Sequence, residues 1–296
     1  MIIVTGATGQ LGRRIVERLL ARVPADRVGV SVRDPRRAQD LAERGVRVRQ
    51  GSFTDPGSLA HAFEDAEQVL VVSVDKLGAE AVRQHRAAVA GAVAAGAGRI
   101  LYTSHMGAAP TSRFEACRDH AADERMLRAC GVPFTSLRNG FYATSAVRFL
   151  GQAAETGQLV LPADGPVSWT AHADLADAAA AILAGDTRFD GPTPPLTAAQ
   201  AIDFEEIAAL ASELTGRTIK RVTVSDAEFH QRMLSHGVPV AQADMMVDIF
   251  AAARAGEFAT VDPTLAQLID REPTDFAAVL GAVFSAPGSG NGSARR

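Results

Sequence analysis

The chain begins with a regular alternation of two hydrophobic patterns. Short apolar runs have the length of β-strands and occupy residues 1–5, 27–32, 46–50 and 68–74. Between them lie segments whose apolar residues recur at helical spacing, at residues 11–23, 35–44 and 58–63. Strands that alternate with helices pair in parallel, because each helix carries the chain back to the starting edge of the sheet.

The alternation continues to about residue 140. Residues 99–104 and 134–138 have the pattern of a fifth and a sixth strand, and 80–95 and 115–130 have that of helices that end at glycine or proline. Six parallel strands with right-handed helical connections predict an α/β protein with a doubly wound Rossmann-type sheet. We expect residues 1–140 to form a dinucleotide-binding core.

The pattern changes after Gly140. Short strand-like runs and one longer strand are mixed with helical segments, at residues 159–161, 167–170, 174–183, 204–215, 219–224, 227–235 and 241–255. Asp174 is the expected N-cap of its helix. We predict that residues 141–285 form a smaller, mostly helical substrate lobe that is interleaved with the core. Residues 286–296 have the Gly- and Ser-rich composition of a disordered tail.

Composition and charge exclude several classes of partner. The net charge of the 296 residues is −4 and the arginines are dispersed, so we predict no nucleic-acid partner. No apolar run of about 18 residues exists to span a membrane, and no signal peptide is visible, so we expect a cytoplasmic protein. The seven histidines lack zinc-type spacing, so we predict no metal. A homodimer is possible, and the sequence does not determine the oligomeric state.

The turn between the first strand and the first helix carries three evenly spaced glycines. Gly6 permits a tight turn, Gly9 lets the backbone approach phosphate oxygens, and Gly12 lets the helix pack on the strand. We therefore predict that this turn holds the pyrophosphate of a nicotinamide dinucleotide. The contacting residues would be Gly6, Thr8, Gly9, Gln10, Leu11 and Gly12.

The end of the second strand bears on the choice of cofactor. Arg33 follows the strand directly, and a guanidinium there suits the 2′-phosphate of NADP. The alternative makes Asp34 the ligand of the ribose 2′-hydroxyl, which would favour NAD. We favour NADP(H) over NAD(H). Phe53 follows the third strand, where adenine should lie, and Ser73 and Val74 leave the fourth strand beside the ribose.

Several motifs together carry a family resemblance, at residues 5–12, 32–35, 102–104 and 137–142 and in His120 with Glu124. With these motifs the chain resembles the NmrA-like branch of atypical short-chain dehydrogenase/reductases, and within it the type 2 NAD(P)H-dependent quinone reductases. The resemblance covers almost the whole chain. It implies a Rossmann-type oxidoreductase that uses NAD(P)H.

The acid-catalytic pair of ordinary short-chain dehydrogenases, Tyr-x-x-x-Lys, is absent from the matching helix. His120 and Glu124 stand there instead, four residues apart on one helix face, as the resemblance to quinone reductases implies. A quinone accepts hydride readily and its reduced oxygens are acidic, so His120 or water would suffice as the proton donor. The alternative reading of His120 and Glu124 is a surface contact.

The remaining site candidates follow the fifth and sixth strands. Ser104 would hydrogen-bond a substrate oxygen, and His105 is a second candidate proton donor. The resemblance implies that Asn139, Phe141 and Tyr142 form a wall beside nicotinamide and substrate. The catalytic candidates are His120, Ser104 and Asn139, and Asn139 is also a cofactor contact. The substrate-contact candidates are His105, Phe141, Tyr142 and Trp169, although core packing explains Trp169 as well.

The leading functional hypothesis is NADPH-dependent transfer of hydride to a quinone or similar planar aromatic acceptor. Two alternatives stay open. One is an NmrA-type regulatory protein that senses NAD(P) without turning it over. The other is a tailoring enzyme of secondary metabolism that reduces or oxygenates an aromatic polyketide quinone.

Overall fold

The computed structural model describes residues 1–285, and the predicted tail at 286–296 lies outside the described residues. A seven-stranded parallel sheet forms its centre, with the strand order β10-β6-β5-β4-β1-β2-β3. The bounds of these strands are β1 (Ile2–Thr5), β2 (Val28–Val32), β3 (Arg47–Gln50), β4 (Gln68–Val71), β5 (Arg99–His105), β6 (Phe134–Asn139) and β10 (Gly191–Pro192). The doubly wound α/β fold predicted from the alternation is therefore confirmed.

The central strands are apolar because helices cover both faces of the sheet. Strands β1, β2 and β4 are buried almost throughout, as continuous apolar runs in parallel sheets usually are. Strand β1 pairs with both β2 and β4, so the order of the strands reverses beside β1. The carboxyl ends of the strands at this reversal form the crevice in which ligands of such folds bind.

Two groups of helices cover the sheet. One face packs against α1 (Gln10–Leu20), α2 (Gln39–Glu43), α8 (His172–Ala184) and α12 (Thr264–Ile269), and the other against α3 (Pro56–Ala62), α4 (Gly78–Ala94) and α5 (Glu115–Ala129). Helix α1 turns its apolar side, with Ile15 and Leu19 fully buried, towards β1 and α8. The glycine turn that precedes α1 is thus anchored on a rigid strand and a rigid helix.

A second hydrophobic core lies beyond the carboxyl edge of the sheet. It is built by α6 (Ala143–Leu150), α7 (Ala153–Thr156), α9 (Phe204–Thr215), α10 (Asp226–Ser235), α11 (Val240–Arg254) and α13 (Phe276–Ser285). Two small parallel pairs join it, β8 (Gln158–Pro162) with β11 (Lys220–Val224) and β7 (Phe141–Tyr142) with β9 (Trp169–Thr170). Aromatic residues dominate this core, including Trp169, Phe204 and Phe250.

The structure differs from the sequence prediction at strand β10 and at Asp174, and helices α6, α7, α12 and α13 were not predicted. Strand β10 is a seventh strand of the main sheet. It has only two residues and is followed closely by Pro194 and Pro195, so the hydrophobic pattern could not reveal it. Asp174 is not an N-cap, because α8 begins at His172 after Ala171. The fully buried Asp174 carboxylate instead accepts hydrogen bonds from Arg271 and from the backbone and hydroxyl of Thr274. Within residues 1–285, no helix is long and apolar enough to cross a membrane.

Candidate functional site

The turn between β1 and α1 has the shape of a phosphate cradle. Gly6 has a φ of +63°, and a Cβ built on Gly12 would lie 2.3 Å from the Gly6 carbonyl oxygen. The first helical hydrogen bond runs from the Arg13 amide to the Gly9 oxygen over 3.0 Å. The amides of Gln10 and Leu11 precede that bond and have no helical partner, so they can donate to an anion. The turn therefore fits the pyrophosphate of a dinucleotide.

The end of β2 presents Arg33 and Asp34 differently. The Asp34 carboxylate accepts from the backbone amide of Arg36 at 3.1 Å and from its guanidinium Nε and Nη2 at 2.9 and 3.0 Å. The Arg36 guanidinium holds the pKa of Asp34 below its ordinary value. Arg33 is exposed, and its guanidinium makes no hydrogen bond within residues 1–285. Of the two candidate ligands, Asp34 is engaged and Arg33 is free.

The loops after β3 and β4 complete this edge of the sheet. Phe53 is half-buried and packs against the core under α3 and α4. The Ser73 amide donates to Thr103 Oγ1 over 2.8 Å, and the Val74 amide donates to His85 Nε2 over 3.0 Å. These bonds fix the backbone of both predicted cofactor contacts beside the glycine turn.

The alternative reading, a surface contact between His120 and Glu124, is wrong, because the two side chains join separate networks. Glu124 is buried and accepts from Arg138 Nε at 3.0 Å and Nη2 at 2.7 Å. It also accepts from Ser104 Oγ at 2.9 Å and Ser136 Oγ at 3.2 Å. Ser104, whose hydroxyl we expected to contact substrate, is a buried residue, 4% exposed, and donates that hydroxyl to Glu124.

His120 is half-buried and joins a second network, whose other members are buried. Its Nδ1 is 2.7 Å from the hydroxyl of Tyr102, which donates to Asp123 Oδ2 over 2.8 Å. Asp123 Oδ2 also lies 2.7 Å from His85 Nδ1. Burial lowers the pKa of His120 to about 3 and raises the pKa of Tyr102 well above its ordinary value. His120 is therefore a neutral imidazole at physiological pH.

His105 sits among aromatic rings. Its ring centroid is 5.1 Å from that of Phe141 and 5.3 Å from that of Phe258, and it stacks on His120 at 6.3 Å. The Gly107 amide donates to Nδ1 over 3.0 Å, so the proton of the neutral ring is on Nε2. That Nε2 is buried and has no partner within residues 1–285. Burial lowers the pKa of His105 to about 4.

The residues after β6 line the same region. Phe141 packs on His105 and on Trp169, whose ring centroid is 5.2 Å away. Trp169 is 2% exposed and its Nε1 donates to the Ile202 oxygen, so it lies behind Phe141 in the second core. Tyr142 lies against His172, with 4.2 Å between ring centroids. Asn139 is buried at the end of β6 in register with His105.

Sequence reasoning did not single out several of these groups. His85 and Asp123 lie within helices α4 and α5, 38 positions apart, and no local pattern brings them together. Tyr102 belongs to the motif at residues 102–104, and the motif itself does not indicate a role for its hydroxyl. Strand alternation would have placed its side chain with Ile100 and Ser104, towards α5, and that signal was available.

Comparison with known proteins identifies the family of the chain. The model of the NmrA-like family matches residues 1–278. The chain belongs to the NmrA-like family. Quinone oxidoreductase 2 of Escherichia coli (strain K12) is 34% identical over 286 residues, which are 96% of this chain and 99% of that protein.

Solved structures resemble the chain over a similar extent. The NADPH complex of the NADPH-dependent quinone oxidoreductase of Escherichia coli has a TM-score of 0.91 and 33% identity, and the match covers 96% of this chain and all of that one. The NADP(H) complex of the Citrobacter sp. triphenylmethane reductase has a TM-score of 0.88 and 32% identity, covering 95% of this chain and 99% of that one. The family expected from the sequence motifs is thus confirmed.

Proposed function

We propose that this NmrA-like protein uses NADPH to reduce a quinone or a similar planar aromatic acceptor. That it is an NAD(P)H-dependent oxidoreductase follows from its near full-length similarity to quinone oxidoreductase 2 and to an NAD(P)H azoreductase. The preference for NADPH and the quinone acceptor are our inferences. The observation that carries them is a site whose histidines are held neutral among aromatic rings, beside a cradle with a free arginine.

The cofactor would bind along the carboxyl edge of the sheet. The amides of Gln10 and Leu11 would donate to the pyrophosphate, and Arg33 would pair with the 2′-phosphate, because Asp34 is already engaged by Arg36. When bound, the dihydronicotinamide supplies the hydride. Ser73, Val74 and Asn139 would line the ribose and nicotinamide, and Phe53 the adenine.

The acceptor would lie between the nicotinamide and the aromatic residues after β6. The overall reaction consumes one quinone, one NADPH and one proton, and yields one hydroquinone and NADP⁺. His105 has its proton on Nε2, where it would hydrogen-bond a quinone oxygen and stabilise the negative charge left by the hydride. That nitrogen is buried among the rings that surround His105, so binding requires a neighbouring side chain to move, a change common at binding sites.

The acceptor assay is steady-state oxidation of NADPH, followed at its absorbance, with 1,4-naphthoquinone, benzoquinone and an aromatic aldehyde. We expect saturable turnover with the quinones and none with the aldehyde, because the Tyr-x-x-x-Lys pair that protonates a carbonyl oxygen in ordinary short-chain dehydrogenases is absent and the Tyr102 hydroxyl already donates to Asp123. Turnover of the aldehyde alone would refute the acceptor class. Tight NADPH binding without turnover of any acceptor would favour the regulatory alternative, and a product that gains oxygen would favour oxygenation.

The matched variants for this assay are His105→Phe and His61→Phe. The first replaces the candidate donor with a ring of similar size. The second changes an exposed histidine of α3 that contacts none of the rings around His105. We expect the first to lower kcat by about 100- to 1000-fold, typical of losing one oxyanion donor, and the second to leave kcat unchanged. Equal kcat values for His105→Phe and wild type would remove His105 from the mechanism.

A further inference from the structure

We propose that His85, Asp123 and Tyr102 are positioning residues that fix the tautomer of His120, so that its Nε2 presents a lone pair and selects acceptors carrying a free phenolic hydroxyl. The assignment of the tautomer stands on hydrogen-bond geometry together with the neutral charge of the ring. The choice of a hydroxylated acceptor rests on the proposed function.

A backbone amide determines which atoms of this network donate hydrogen bonds and which accept them. The Val74 N–H can only donate, and it donates to His85 Nε2 over 3.0 Å. A neutral imidazole has one protonated nitrogen, so the proton of His85 is on Nδ1. That Nδ1 donates to Asp123 Oδ2 over 2.7 Å. The carboxylate is therefore the acceptor at the centre of the network.

The hydroxyl of Tyr102 links Asp123 to His120. Its single hydroxyl proton can go to Asp123 Oδ2, 2.8 Å away, or to His120 Nδ1, 2.7 Å away. Donation to the carboxylate is the stronger, charge-assisted bond, and the opposite choice would set two oxygen lone pairs against each other. With the proton on the carboxylate side, the phenol oxygen accepts from His120 Nδ1–H. Every close contact in the network is then a hydrogen bond.

The Nε2 atom of His120 consequently carries a lone pair. It has no hydrogen-bond partner within residues 1–285, and it is not among the side-chain atoms sealed from solvent, unlike Nε2 of the neighbouring His105. The two rings stack with an interplanar angle of 19°. The site thus offers a donor on His105 and an acceptor on His120, and the depressed pKa of each ring keeps both neutral.

The donor on His105 and the lone pair on His120 together restrict which acceptors fit the site. His120 in this tautomer cannot give a proton from Nε2, contrary to the role expected from the sequence, so the proton that completes the hydroquinone comes from solvent. A lone pair beside the aromatic rings is best satisfied by an O–H group. A quinone with a phenolic hydroxyl away from its carbonyls would meet both histidines, whereas an unsubstituted quinone would cover Nε2 of His120 without giving it a hydrogen-bond partner.

The tautomer is measured directly by nitrogen-15 NMR of the histidine rings, in which protonated and unprotonated ring nitrogens differ in chemical shift. His120→Gln assigns the resonances. We expect wild-type His120 to be protonated on Nδ1, and Tyr102→Phe to shift it towards Nε2–H because Nδ1–H loses its acceptor. Asp123→Asn is the conservative control, because its amide oxygen can still accept from both neighbours. Wild-type His120 protonated on Nε2 would overturn the inference.

Selectivity is measured by binding, without turnover, in the complex with NADP⁺. Quenching of Trp169 fluorescence gives the Kd of 6-hydroxy-1,4-naphthoquinone and of 1,4-naphthoquinone. We expect wild type to favour the hydroxylated ligand by about fivefold, the effect of one neutral hydrogen bond, and His120→Phe to lose that preference. Equal Kd values in wild type would refute the selectivity. Failure of quinone turnover would instead refute the proposed function and leave the NMR result standing.

Discussion

The free Arg33 beside an engaged Asp34 makes cofactor preference the sharpest test of the cofactor site. Replacing Arg33 with alanine removes a guanidinium that is exposed at the end of β2 and makes no hydrogen bond to the described part of the chain. The folded protein should therefore keep its stability. Only an interaction with the bound cofactor would be lost.

The magnitude follows from the kind of bond. A hydrogen bond to a charged group contributes about 1.5–3 kcal/mol, and we take the lower end because Arg33 is exposed to solvent and salt. About 1.5–2 kcal/mol corresponds to an increase of about 10- to 30-fold in the Kd of NADPH. NADH has no 2′-phosphate, so its Kd should change by less than about twofold on the same grounds.

The assay is titration of both reduced cofactors against wild type and variants by cofactor fluorescence at two salt concentrations. Arg27→Ala is the charge-matched control, because Arg27 lies at the opposite end of β2 and pairs with Glu67. Arg36→Ala releases the Asp34 carboxylate and should tighten NADH relative to NADPH. An equal loss of affinity for both cofactors in Arg33→Ala would show that Arg33 does not meet a 2′-phosphate.

Three further predictions concern packing and pH. Gly12→Ala should weaken both cofactors alike and destabilise the fold by about 1–3 kcal/mol, seen as a lower Tm, because its Cβ would lie 2.3 Å from the Gly6 oxygen; an unchanged Tm would contradict this. Glu124→Ala should cost about 1.5–3 kcal/mol in urea unfolding, since the half-buried Arg138 guanidinium loses both of its charged hydrogen bonds, whereas Glu124→Gln should cost less. The pKa of His105 falls from 6.5 to about 4 on folding. Between those two pH values the unfolded chain binds more protons than the folded protein. The stability contributed by neutral His105 is therefore complete above pH 6.5 and is lost as the pH falls towards 4. As the pH falls from 6.5 to 4, the Tm of His105→Phe should fall less steeply than that of wild type. Parallel profiles would show that the pKa of His105 is not lowered by folding.

The parallel sheet could be predicted because its determinants are local. Each strand of the first half is a short apolar run and each connection has helical spacing, so the periodicity of the chain specifies both the elements and their parallel pairing. Strand β10 and the start of α8 escaped prediction. Both depend on which distant segments lie beside them, β6 for the one and Arg271 with Thr274 for the other.

Sequence by itself determined the phosphate cradle, because three glycines between a strand and a helix act through backbone shape within seven residues. Only the tertiary structure decided the state of the side chains around it. The engagement of Asp34 by Arg36, the separation of His120 from Glu124, and the buried link from His85 through Asp123 and Tyr102 depend on elements far apart in the chain. Hydrogen bonds between side chains are directional and short-ranged, so their partners are fixed only once packing has brought the helices onto the sheet.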